Sequence, residues 1–262
     1  MTKAARALLL LVVLALLAQI IFPNPNAQNL EQSLQPPLAN WVQPLGTDEL
    51  GRNVLGLLLH GLGISLLVGV VCSLLSALIG VPLGLIAGLR GGWLENLIMR
   101  ATEVQMALPT VLLALVTLAL LGAGLGNLMV VIGVFGWAGF ARYTRAVVLV
   151  QRQLEYVVAA RALGAVDGRI LLRHILPNVA SGILVQISLD FPHNVLLEAS
   201  LSFLGVGVGV DTPSLGALVS RGYGFLFSGQ WWLSLLPGGL IMLLVLNINA
   251  LGESIRRRLN PR

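Results

Sequence analysis

The sequence predicts an all-α, polytopic membrane protein with about six transmembrane helices and one charged, helical insert on its inner side. Three observations carry this. Of 262 residues, 56% are hydrophobic and only 10% are charged, less than half the ~25% charge of soluble domains. Apolar stretches near the ~20 residues that a membrane span needs fall at 6–22, 61–89, 107–122, 127–150, 178–200 and 233–252. The basic residues are also unevenly placed. With both termini inside, Lys3, Arg6, Arg90, Arg100, Arg142, Arg145, Arg152, Arg161, Arg169, Arg173, Arg256, Arg257, Arg258 and Arg262 lie at the inner face, and only Arg52 and Arg221 fall outside. Fourteen of the 16 basic residues then obey the positive-inside rule. The net charge of +5 is thus a topology signal and gives no reason to invoke nucleic acid. The protein is expected in the cell membrane, in contact with lipid along most of its length.

The chain divides into a first transmembrane helix at 1–22, an extracytoplasmic segment at 23–60 and a membrane core at 61–262 with an inner loop at 151–177. Lys3 and Arg6 before an apolar run could open a cleaved signal peptide, but no clear small-x-small site precedes Pro23 and Pro25, which favours a retained span. Prolines 23, 25, 36 and 37, among Asn and Gln, give the outer segment no periodicity. Thr47 is then expected to cap a helix whose first turn carries Asp48 and Glu49.

In the second span Ser76, Gly80, Gly84 and Gly88 recur every four residues, a small-residue stripe for close helix packing within the chain or against a partner. Pro82 is expected to bend this span. Cys72 is the only cysteine, so neither a disulfide nor a C-x-x-C metal site is available. Gly122 to Gly126 lacks the strand-then-helix setting of a phosphate loop and reads as an outer turn.

The inner insert, E-Y-V-V-A-A-R-A-L-G-A at 155–165 and on to Pro177, reads as two short helices. Tyr156, Ala159, Ala160 and Leu163 make an apolar face at helical spacing, and Gly164 supplies the turn. Asp167 is the expected cap of the second helix, and Pro177 the break at which the next span begins.

The spacing from Ala159 and Ala160 to Gly164, then to Pro177, resembles the coupling loop of ATP-binding cassette (ABC) importer permeases. Its wording is similar to the dipeptide, oligopeptide and nickel branch, although Val158 and His174 depart from the general family pattern. P-L-G-T-D-E-L-G-R-N at 44–53 resembles a signature of the second permease of these importers, with Asn53 for the usual aspartate. Further resemblance lies in G-W-A-G-F-A-R-Y-T-R at 136–145, E-A-S-L-S-F-L-G-V-G at 198–207, T-P-S-L-G at 212–216 and the ending from Leu251, with Leu215 where tryptophan is usual. It covers roughly residues 44–262.

The resemblance implies a type I ABC importer permease fold. It also implies a subunit that pairs with a second permease, two ATPases and an extracytoplasmic solute-binding protein, and moves a peptide or a nickel or metal-chelate type solute. Glu155, Tyr156, Ala159, Ala160, Arg161, Leu163, Gly164 and Ala165 would dock on an ATPase. The chain itself has no G-x-x-x-x-G-K-[ST] and no lysine but Lys3, so it is expected to be non-catalytic and to hold no cofactor, with ATP and Mg on the partner ATPases. In the fifth span Gln186, Asp190, Asn194 and Glu198 share one helical stripe, with His193 a turn from Asp190 and Pro192 expected to open the helix. Ionisable groups at this depth turn to a cavity or a partner, so these residues either line a solute path or bond to neighbouring helices. An autonomous channel or secondary transporter is the alternative, but it leaves the insert without a purpose. An intramembrane hydrolase lacks H-E-x-x-H, G-x-S-x-G and clustered histidines.

Overall fold

The chain folds as a helical bundle built around one long helix, and the computed structural model describes residues 3–209 and 211–259. In order, α1 is Lys3–Ile21, α2 Val54–Arg90, α3 Gly92–Met106, α4 Thr110–Leu121, α5 Leu125–Phe135 and α6 Trp137–Gln151. Then come α7 Glu155–Ala162, α8 Asp167–Arg169, α9 Leu176–Phe203, α10 Leu215–Tyr223 and α11 Trp232–Leu259. Among the described residues the only extended pairing is an isolated bridge between Thr47 and Asn53. Among the described residues five stretches are long and apolar enough to cross a membrane, and α3 with α4 makes a sixth if that bent pair is counted as one. Nothing but helix satisfies the backbone of such segments in hydrocarbon.

The central element is α2, whose 37 residues extend ~55 Å. It outreaches a ~30 Å hydrocarbon core, so its first turns, 54–60, can still belong to the outer segment. It touches α1, α3, α5, α6 and α9. The glycine stripe faces α6: a Cβ on Gly84 would sit 2.7 Å from Thr144 Cβ, and one on Gly88 2.7 Å from Val148 Cβ. A Cβ on Gly80 would strike the Trp137 carbonyl and lie 2.6 Å from Phe140 Cβ. Ser76 donates to the Gly133 carbonyl at 2.9 Å. The stripe is therefore consumed within the chain. Pro82 sits inside α2 without ending it. α1 packs on α2 and α11, burying Leu11 and Ala15 with Leu62, Leu244 and Ile248.

Four expectations are corrected here. Residues 47–53 form a tight turn and no helix; Asn53 caps α2, accepting from Leu55 N at 3.0 Å and Gly56 N at 3.4 Å. Thr47 instead pins the outer segment, accepting from Gln35 N at 2.9 Å through its hydroxyl and from Trp232 Nε1 at 3.2 Å through its carbonyl. Asp48 and Arg52 make a buried ion pair at 2.6 Å. Secondly, the expected third span at 107–122 holds only the 12 residues of α4, ~18 Å of helix. It follows α3, which lies at 85° to it across a break that ends at Pro109.

Thirdly, Asp167 does not cap. Val166 holds the N-cap position, and the Asp167 carboxylate accepts from Arg161 Nη2 at 3.1 Å. Finally, Pro177 does not break the chain into two helices. The six residues Ile170–Ile175 are π-helical and pass directly into α9. The wider π turn accommodates the N–H that proline lacks without ending the helix. One rod thus runs over 167–203. α9 also passes Pro192 unbroken, so the expected opening there reduces to one missing N–H. Arg262 lies outside the described residues.

Gly84→Leu should overpack the α2–α6 contact, at a cost of about 1–3 kcal/mol. The melting temperature of the purified protein should fall clearly, whereas Gly139→Leu, on α6 where a Cβ meets nothing within 4 Å, should leave it nearly unchanged. Equal melting of both variants would remove the stripe from the account of this fold.

Candidate functional site

Two regions carry the residues singled out in the sequence. The first is the insert at the arginine-rich end of the bundle. Its helix α7 ends in a Schellman cap: Ala165 N donates to the Ala160 carbonyl and Gly164 N to the Arg161 carbonyl, each at 3.0 Å. That cap needs a left-handed residue, and Gly164 supplies it at φ +85°. The turn at Gly164 is therefore present as expected and joins one short helix, α7, to the start of the long rod.

The insert is bolted to the rod by one side and bare on the other. Val157 is buried with Ile170, Ile175 and Val179 against Leu85, Leu89 and Val148 of α2 and α6. Tyr156 donates to Gln151 Oε1 at 2.6 Å and accepts from Asn178 Nδ2 at 3.0 Å. Asn178 also reaches the His174 carbonyl at 2.7 Å, inside the π segment. So Tyr156 serves the loop's attachment, while Ala160 and Ala165 are half-buried.

Glu155, Ala159, Arg161, Leu163 and Gly164 lie on the open side. Leu163 is 90% exposed, Val166 69% and Val158 56%. Neither Val158 nor Val166 was among the residues expected to dock. Val158 lies about 100° around α7 from the buried Val157, which turns it to the open side.

The second region is α9. Its polar stripe turns inward onto α2 rather than outward. Asn194, 1% exposed, donates to Ser73 Oγ at 3.0 Å and to Asp190 Oδ2 at 2.7 Å. Glu198, fully buried, accepts from Ser202 Oγ at 2.7 Å and Ser65 Oγ at 3.3 Å. Gln186 and Asp190 are half-buried, and His193 is exposed. The structure therefore separates the set: Asp190, Asn194 and Glu198 join a network between helices, and His193 points away from it.

His193 belongs to another stripe. Leu189, Leu196 and Phe203 are 45%, 47% and 40% exposed, and with exposed His193 and Ser200 they recur at alternating steps of four and three. This is one long helical face, left largely open along its length and bordered at its far end by α10 and α11. At its far end Leu196, Ser200, Phe203, Leu204 and Ile241 line an open apolar cavity of about 380 Å³.

Residues 80–262 match the family model described as a binding-protein-dependent transport system inner membrane component. The dipeptide transport system permease protein DppC of Bacillus subtilis is 37% identical over 97% of this chain and 79% of its own length. The glutathione transport system permease protein GsiD of Pectobacterium atrosepticum is 37% identical over 97% of this chain and 84% of its own. A solved chain of the inward-facing MetNI methionine ABC transporter superposes with a TM-score of 0.65 over 78% of this chain and 96% of that one, at 22% identity. That likeness shows the fold, a type I ABC importer permease.

Tyr156→Phe keeps the ring and removes the hydroxyl that ties α7 to α9. It should cost about 1 kcal/mol of local stability and raise amide hydrogen exchange over 155–165 about fivefold, with global melting little changed. Unaltered exchange there would mean that the hydroxyl does not hold the insert.

Proposed function

Because this chain belongs to the family of binding-protein-dependent transport system inner membrane components, we propose that it forms one half of the translocation path of an ABC importer for a peptide-type solute. The other half is a second permease, two partner ATPases with ATP and Mg supply the energy, and an extracytoplasmic solute-binding protein delivers the solute. Both termini and the arginine-rich end face the cytoplasm, as the charge bias requires. The relatives named for dipeptide and glutathione transport favour a peptide over a nickel or metal-chelate solute.

The observation that carries this reading is the insert: an ordered, capped helix pair that leaves Leu163 90% exposed while its other side is fixed to the rod that continues as α9. Exposed apolar side chains on a rigid support mark a docking site. An autonomous channel or secondary transporter has no use for one. In this reading Val158, Leu163 and Val166 enter a cleft on the ATPase, with Glu155, Ala159 and Arg161 at the rim and Gly164 setting the turn. Tyr156, Ala160 and Ala165 support that face from behind.

The solute path is assigned to the open stripe of α9, Leu189, His193, Leu196, Ser200 and Phe203, closed by the second permease. Asp190 lies one turn from His193 and is bonded to Asn194, which turns to Ser73. The inward residues hold α9 in place, and His193 is the polar group that meets solute. A neutral or charged imidazole there suits either end of a peptide.

Gly164→Val places a β-branched residue at a positive φ, a strain of about 1–3 kcal/mol. The assembled complex should hydrolyse ATP without stimulation by loaded binding protein, with uptake in proteoliposomes reduced about tenfold or more. Normal uptake by that variant would end the docking reading.

His193→Ala should lower uptake on the order of tenfold, the equivalent of one lost charge-assisted hydrogen bond, while basal ATPase activity stays intact. Wild-type uptake in His193→Ala, in a complex shown to be assembled, would remove the α9 stripe from the path.

A further inference from the structure

A cavity of about 380 Å³ lies between α3 and α6 at the arginine-rich end of the bundle. Glu95, Arg100, Glu103, Met106, Arg142 and Arg145 line it. Four of these cancel in pairs: Arg145 Nε donates to Glu95 Oε1 at 2.6 Å, and Arg100 Nη1 to Glu103 Oε2 at 2.9 Å. Arg142 is left over. Its guanidinium meets the Met106 thioether at 3.5 Å, a weak acceptor. Three arginines against two glutamates leave one positive charge and an unfilled fork of donors facing an open space.

The same helix presents an apolar edge beside this cavity. Asn96, Arg100 and Glu103 of α3 face the cavity. Trp93, Leu97 and Val104, within about 40° of each other around the helix, form an adjoining stripe that is 72%, 60% and 67% exposed. Polar hollow and apolar edge together have the amphipathic shape of a lipid.

We propose that this cavity seats the phosphodiester headgroup of an anionic phospholipid of the inner leaflet, with its acyl chains along Trp93, Leu97 and Val104. The leaflet follows from the orientation proposed above. The Arg142 fork matches two phosphate oxygens, which a lysine would meet only as a point charge. A basic hollow between membrane helices on the cytoplasmic side is the setting in which headgroups are held, and Trp93 stands where an indole belongs, at headgroup level. Arg100, 81% exposed in its side chain, sits on the border between hollow and stripe and can snorkel toward the same phosphate.

The test uses the complete complex with its partner subunits. It is placed in nanodiscs of phosphatidylcholine with an equal amount of phosphatidylglycerol, re-extracted in detergent and read by native mass spectrometry. Wild type should retain phosphatidylglycerol in preference to phosphatidylcholine, and Arg142→Ala should retain about fivefold less. Arg142→Lys should recover part of the loss, and Arg142→Gln carries the test if the alanine variant fails to assemble. Arg256→Ala, at an arginine paired with Glu253 on α11, should behave as wild type.

Undiminished retention in the Arg142 variants overturns the proposal, as does an equal loss in Arg256→Ala, which would signify diffuse attraction. Displacement of the lipid by inorganic phosphate would make the cavity a free-anion site, and displacement by a dipeptide would give it to the solute; either result also overturns the proposal. Solute-stimulated ATPase activity of wild type in the same nanodiscs reports on the importer reading separately, since lipid retention does not require transport.

Discussion

The close approach of α2 and α6 is the constraint on which the rest of the bundle depends. Between helices in lipid there is no hydrophobic gain to drive association, so contact area and backbone proximity must do it. Gly80, Gly84 and Gly88 remove three side chains from one edge of α2, and the backbone of α6 moves into the space, over Phe140, Ala141, Thr144 and Val148. Once α6 is fixed there, its other sides have defined neighbours: α3 through Arg145 and Glu95, and α9 through Tyr143 beside Gly182. The loop that follows α6 starts from a fixed point, where Arg152 Nη1 donates to the Gly88 carbonyl at 2.9 Å. Packing by small residues and placement of the insert are one arrangement.

Polar groups complete what the glycines begin. Ser73 and Ser65 of α2 meet Asn194 and Glu198 of α9, so α9 is registered against α2 by hydrogen bonds one turn apart on α9 and about two turns apart on α2. In a dry interior such bonds are worth more for uniqueness than for net stability, because a one-residue slip would leave buried polar groups unpaired. At the opposite end, the outer segment is fastened by Thr47, which binds both the chain at Gln35 and the start of α11 at Trp232.

The fold was readable from the sequence where a single physical signal decides it. Length and hydropathy marked the spans, the spacing of Gly80, Gly84 and Gly88 marked a packing edge, and Gly164 marked a turn. What could not be read depended on neighbours distant in sequence. Thr47, Asp48 and Glu49 have the chemistry of a helix start, but the Asp48–Arg52 pair and the bonds to Gln35 and Trp232 hold them in a turn, and the cap passes to Asn53. Pro177 has the chemistry of a break, but six π-helical residues ahead of it absorb the missing donor. The stripe of Gln186, Asp190, Asn194 and Glu198 was visible as a stripe; its direction was not, because serines scattered along α2 determine which way it turns. A residue's type can show that it needs a partner, and only the packing shows which one.

The unbroken rod from Asp167 to Phe203 gives the proposed coupling its mechanical basis. A flexible joint at Pro177 would let the insert move without moving the membrane span. A continuous helix cannot bend sharply without losing backbone hydrogen bonds, and in hydrocarbon nothing replaces them. Val157 and Tyr156 fasten α7 to the start of that rod, so in the proposed coupling a displacement of the insert would be passed to α9 as a tilt or a shift along its axis. The π segment lies between the fastened insert and the span, where helical hydrogen bonding is already altered and a change of register costs least. Such motion would strain the Asn194–Ser73 and Glu198–Ser65 bonds first, since they tie α9 to the α2–α6 pair. The outward stripe carrying His193 would turn with the rod, so that in the proposed arrangement the face offered to the second permease would follow the position of the insert.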